Sequence, residues 1–307
     1  MNKNLIAIAV AGVLSAPMAA SAADMMSDTK VSGFVDTFLT LTTDNAACTV
    51  ATYEACEGQF TVAESEIDVE AMGVRVDVDH KSGSGNSLEQ AYFSTDLGGW
   101  DLMVGQFNAG LTVDGQDAPD MMFSTPSLVA LDYDAFGLTN VTGAHISGMA
   151  GPAKLRLGLV NDPTINPGAT GAAVSAGDVA TAVIVGASGS VMDGLDISVS
   201  MVSADADDVT DLQLNFTMEG LRLNLDYMTS DTTDVYSVMA GYDLGNGMGI
   251  KVRMDNDSPD VGNETDTVTI HFDYALTDNV ALALENYAED DGTNDWNQTT
   301  LEFIATF

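Results

Sequence analysis

From about Lys30 to Phe307 the chain alternates apolar and polar residues in short segments, joined by connections that are alternately tight and long. The alternation is plainest in Leu195-Asp196-Ile197-Ser198-Val199, Leu212-Gln213-Leu214-Asn215-Phe216, Leu221-Arg222-Leu223-Asn224-Leu225 and Ile250-Lys251-Val252-Arg253-Met254. A period of two puts the apolar side chains on one face of a strand and the polar ones on the other. In a soluble β-sandwich the apolar face meets a second sheet. In a transmembrane barrel it meets lipid, the polar face lines a lumen, and loop length separates the two ends. A sandwich gives no reason for the long connections to gather at one end, so the loop asymmetry predicts a barrel.

Alternation and turn residues predict sixteen strands, near 30–42, 59–70, 73–80, 87–97, 100–107, 138–148, 153–161, 178–190, 195–203, 209–218, 221–229, 234–243, 248–255, 266–275, 280–287 and 298–307. Connections after even-numbered strands are tight and rich in Gly, Asn and Asp, as in Gly98-Gly99 and Glu219-Gly220. Those after odd-numbered strands are mostly longer, and the fifth runs from Asn108 to Gly137. Segments of about ten residues match a tilted membrane-spanning strand. An even count closes a bacterial barrel, and sixteen strands leave a lumen wide enough for water. The expected fold is all-β, a 16-stranded antiparallel transmembrane β-barrel that accounts for residues 23–307 without a second domain. The fourth and eighth segments are small and apolar on both faces, a composition that suits a protein–protein contact.

The first 22 residues read as a signal peptide: Lys3, an apolar run from Leu5 to Leu14, and a small-x-small cleavage site at Ala20-Ser21-Ala22. No later stretch approaches the 18 apolar residues of a membrane-spanning helix. Removing Lys3 takes the formal charge from −37 to −38, since all 46 acidic residues lie further on. That balance excludes nucleic acid, whose phosphates require a basic surface. Self-repulsion on this scale is tolerable where salt screens it. Cys48 and Cys56 stand close together in the first long connection, and an oxidising compartment favours joining them as a disulfide.

Several segments resemble the general Gram-negative trimeric porins. Ser32-Gly33-Phe34-Val35-Asp36 is similar to that family's opening strand, with Ser32 where an aromatic is usual. Glu89-Gln90-Ala91-Tyr92-Phe93, Asp96-Leu97-Gly98-Gly99-Trp100 and Val104-Gly105-Gln106-Phe107 resemble its fourth and fifth strands, with Glu89 replacing an Arg. The end, Leu301, Phe303, Ala305 and Phe307, resembles the assembly signal read by the barrel-assembly machinery. The resemblance implies a homotrimer embedded in outer-membrane lipid and lipopolysaccharide. It also implies that the third long connection folds inward to narrow the pore, bringing Asp114, Asp117 and Asp120 into the constriction. Lys81 to Asn86 is short for the loop that latches a neighbouring subunit in that family.

Six basic residues, Arg75, Lys154, Arg156, Arg222, Lys251 and Arg253, fall on the polar face of predicted strands. A cation facing lipid near mid-membrane costs ~2–4 kcal/mol, so these are expected to line the pore. Opposite an acidic inward loop they would set up a transverse field; alternatively they offset lumen carboxylates such as Asp36, Glu64, Glu66, Asp68 and Glu70. Other chemistry is sparse. His80, His145 and His271 have no metal-ligand spacing, and no nucleophile signature accompanies them. Asp255-Asn256-Asp257-Ser258-Pro259-Asp260 lacks the Gly of a calcium loop and reads as a solvated acidic loop. Neither enzyme activity, nor a cofactor, nor a metal is expected. The pattern predicts an outer-membrane channel for small hydrophilic solutes, with carboxylates favouring cations. A substrate-specific channel or an adhesive surface barrel is the alternative. Phe34 and Phe38 share one inward face, too little for an aromatic track.

Overall fold

The computed structural model describes residues 29–43, 58, 60–81, 85–109, 118–119, 121–161, 181–204 and 207–307. The predicted signal peptide, Cys48, Cys56, Asp114, Asp117 and Asp120 lie outside them. Sixteen antiparallel strands close into one barrel in which each pairs with its neighbours in sequence and β1 pairs with β16. They are β1 (Lys30–Thr43), β2 (Phe60–Ala71), β3 (Val74–Lys81), β4 (Gly85–Asp96), β5 (Trp100–Phe107), β6 (Val141–Ala150), β7 (Ala153–Asn161) and β8 (Thr181–Met192). The ring continues through β9 (Leu195–Ser203), β10 (Asp208–Met218), β11 (Leu221–Thr229), β12 (Thr233–Gly245), β13 (Met248–Pro259), β14 (Thr265–Thr277), β15 (Val280–Asp290) and β16 (Asp295–Thr306). A helix, α1 (Leu128–Ala135), interrupts the run between β5 and β6.

The tight ends follow from turn chemistry. Met72-Gly73, Glu219-Gly220 and Asn246-Gly247 hold both central residues at positive φ, the hairpin geometry whose twist matches that of the flanking strands. Glycine makes this easy at the second position, while Met72 and Glu219 carry some strain at the first. The seam of the ring closes near the same end. Gly33 and Phe307 exchange backbone hydrogen bonds of 3.2 and 3.0 Å. A Cβ at Gly33 would meet the Glu66 carbonyl at 2.2 Å and the Phe307 ring at 2.7 Å, so only glycine fits there.

Alternation decides which way each side chain points. Val35, Val104, Leu157, Val185, Val199, Leu223, Val238, Val252, Ile270 and Leu284 are exposed on the outer face. On β11–β14 exposed aromatics flank this aliphatic band, with Tyr227 and Tyr236 towards the loop end and Tyr242 and Tyr274 towards the turn end. An apolar band between aromatic girdles is the arrangement that lipid demands.

The structure departs from the sequence expectation in two places. The fifth connection forms α1 rather than continuing as irregular chain, so β6 begins at Val141. Asp255 to Pro259 belong to β13 and are not a solvated loop. There the polar alternation simply continues, because Asp255 and Asp257 face inward opposite Thr267 and Thr265.

Candidate functional site

Register puts every basic residue between Lys30 and Phe307 on the lumen side. Lys30 lies opposite Glu70, Arg75 opposite Glu70 and Tyr92, and Lys81 opposite Glu64. Arg156 lies opposite Ser147, Arg222 opposite Thr217, Lys251 opposite His271 and Arg253 opposite Thr269. The wall of β1–β4 is dense in carboxylates. Arg75 reaches Asp77 at 2.8 Å and Asp68 at 3.1 Å, and Lys81 reaches Glu64 at 3.0 Å, Asp79 at 3.7 Å and Glu89 at 3.9 Å. Asp36, Glu64 and Glu66 are buried, Asp68 is half-buried, and Glu70 is exposed near Lys30. Lys154 and Arg222 are exposed towards the turn end.

The connection after β5 folds into the lumen and is fastened there. Its Ser124 and Thr125 amides donate to the two oxygens of Glu285 at 2.7 and 2.9 Å, and Ser124 Oγ donates to Glu302 at 2.6 Å. Arg253 donates to the carbonyls of Thr125 and Pro126 at 2.8 and 2.9 Å while its Nε holds Asp255 at 2.9 Å. Lys251 donates to the Met122 carbonyl at 2.9 Å and pairs with Asp273 at 2.9 Å. Phe123 lies beneath the Arg253 guanidinium at 4.6 Å and edge-on to His271, whose Nδ1 is 2.9 Å from Glu285. Arg156 holds the other limb through the Ala109 carbonyl. Charge-assisted bonds to a buried loop backbone are the strong kind. Three of the six predicted pore cations therefore grip the loop itself.

Beyond these ties the loop docks by apolar packing. Ser127 caps α1 by accepting from the Ala130 amide at 3.1 Å, and Gly137 at positive φ ends it. Leu128, Val129 and Tyr133 then bury against an apolar layer inside the barrel, which includes Val141, Val160, Ile184, Val202, Val209, Met228 and Val235. This is why the eighth segment is apolar on both faces: one meets lipid, the other the inner loop. On α1, burial and the nearby Asp257 push the Asp132 carboxyl up to about 7.

The inner loop's fasteners, Glu285, Glu302, Ser124 and Thr125, were not singled out by the sequence, and neither was Lys81. The three histidines are not brought together, since His80 faces outward, His145 lies against Phe107 on β6, and His271 supports Phe123 on β14. A small cavity, with room for about one water molecule, lies beneath the loop, lined by Phe123, Asn224, Asp226, Ser237, Met239 and Arg253 among others. Among the described residues the arrangement is a wall with a fixed obstruction across it.

No protein-family profile matches this chain. No curated protein matches it in sequence. Solved structures do match. The anion-selective porin from Comamonas acidovorans superposes with a TM-score of 0.65 at 10% identity, covering 91% of this chain and 99% of its own. A loop-deletion mutant of OmpT, an outer membrane protein of Vibrio cholerae, gives 0.62 at 10% identity over 91% and 99%. A mutant of the Rh. blastica porin gives 0.56 at 13% identity over 91% and 100%. Closed ring, lipid-suited exterior, polar wall and inward-folded third loop together give this chain the fold of the Gram-negative porins.

Proposed function

We propose that this protein is an outer-membrane porin through which small hydrophilic solutes diffuse passively. The observation that carries this reading is the pairing of an apolar exterior with a charged lumen crossed by a loop held at named points. Such a barrel needs no chemistry, only a path whose width and lining charge select what passes. Carboxylates outnumber basic groups on the lumen side, and that favours cations. One structural neighbour is titled an anion-selective porin, so this preference belongs to the lining of this chain and not to its fold. The signal-like segment, export to the outer membrane, contact with lipopolysaccharide, delivery by the barrel-assembly machinery and a homotrimeric state complete the proposal. The porin titles among the structural neighbours support it.

Reconstitution into a planar bilayer tests the reading. Stepwise, ohmic current increments are expected, and a folded barrel that carries no current would overturn it. The narrowing of the lumen by a loop fastened across it favours a second reading, a channel selective for one compact solute. Conductance that saturates with one solute distinguishes that form from general diffusion.

A further inference from the structure

The acidic clusters on β2–β4 already hold cations of their own, Arg75 and Lys81. A different arrangement stands on β9–β11. Asp211 is 0% exposed and forms no ion pair among the described residues. Its Oδ2 accepts from Gln213 at 2.8 Å, whereas its Oδ1 is buried with no hydrogen-bond partner. The Asp226 carboxyl, diagonal to it on β11, lies within hydrogen-bonding reach. Ser200, directly opposite Asp211 on β9 and on the same inward face, is 5% exposed, and its Oγ too has no partner.

Two carboxyl groups this close cannot both stay ionised and dry unless something positive joins them. A buried hydroxyl left unbonded is costly on its own, since it has given up its water without a replacement. We propose that Asp211, Asp226 and Ser200 bind a hard divalent cation, calcium in the first place, on the inner wall of the barrel. Every donor is oxygen, which suits hard cations and not soft ones. Two carboxylates match a charge of two. Calcium accepts about six to eight oxygens in flexible geometry, so water completes a shell that three side chains on twisted strands only begin; magnesium demands a stricter octahedron. Asp226 and Asn224 line the small cavity beneath the inner loop, which is the side from which an ion would reach the pair. The site lies beside the layer on which α1 rests, with Val209 and Met228 its neighbours. It does not depend on the lumen conducting.

Calorimetric titration of the folded, full-length barrel with calcium chloride tests the site. In 1 M NaCl the screening length falls to ~3 Å, which suppresses loose accumulation of ions along the acidic lumen. One saturable site is expected in the wild type. It should vanish in Asp211→Asn and weaken about tenfold or more in Ser200→Ala, while Glu66→Gln, in the Arg75 cluster, leaves it unchanged. Ser200→Ala removes only a hydroxyl, so it carries the test if Asp211→Asn does not fold. Absence of a saturable site in the wild type would overturn the proposal, as would equal binding in all three variants. An infrared carboxylic-acid band that disappears in Asp211→Asn and ignores calcium would show a shared proton instead, and overturn it as well. Bilayer recordings on the same preparations keep this result apart from the conduction reading, since either can fail while the other stands.

Discussion

Arg253 is 1% exposed, and its donors go to Asp255, the carbonyls of Thr125 and Pro126, and the hydroxyls of Thr125 and Thr269. Arg253→Met keeps much of the side chain's bulk but leaves Asp255 buried without its cation. Breaking a buried pair from one side costs about 3–5 kcal/mol. Urea unfolding should show a loss of that order, and bilayer recordings should show a larger, noisier conductance as the loop comes away. Asp132 makes a pH-dependent counterpart. Its folded-state carboxyl titrates at about 7, above the unfolded value of 3.8, so the folded barrel holds the proton more tightly. Its contribution to stability is whole below the unfolded value and is lost as pH rises towards about 7, levelling off beyond. Comparing wild type with Asp132→Asn between pH 4 and pH 8 checks this: the slope over that window should flatten in the variant. The sequence showed that Arg253 faces the lumen, but not what it holds. Its partners are backbone carbonyls some 130 positions away, and carbonyls carry no signature in a sequence.

At the level of elements, the strands were legible and the helix was not. Sixteen alternating segments came through because period two, a turn every ten or so residues and loop asymmetry all agree. α1 breaks the pattern in only eight residues, too few for a helical stripe to register. Two signals did mark it: Ser127 as a cap, just after Pro126, and Gly137 as a stop. The inner apolar layer left a fainter trace, the loss of phase in the eighth segment, where Ala182 and Ile184 occupy two successive inward positions. Leu138, fully buried where α1 returns to the wall, tests how much this layer contributes. Leu138→Ala should cost about 2–5 kcal/mol in unfolding experiments. Because the ties at Ser124 and Thr125 remain, it should increase current fluctuations without abolishing the constriction.

For the whole molecule the sign of the lumen potential is the first expectation. Reversal potentials in a KCl gradient should show cation preference that is clear at 0.1 M and weaker at 1 M, as the screening length drops from ~10 to ~3 Å. Anion preference at low salt would contradict the electrostatic account. Temperature enters through the two unlike ways in which the inner loop is held. Its Met122–Pro126 limb hangs on charges, while α1 rests on an oily patch hidden inside the barrel. Attraction between apolar surfaces weakens on cooling, whereas the charged limb also keeps direct hydrogen bonds that the apolar contact lacks. Cold should therefore loosen the helix before the charged limb. An open channel whose current grows noisier as the bath is chilled, against the usual quieting of thermal motion, would be the mark of a gate seated on hydrocarbon.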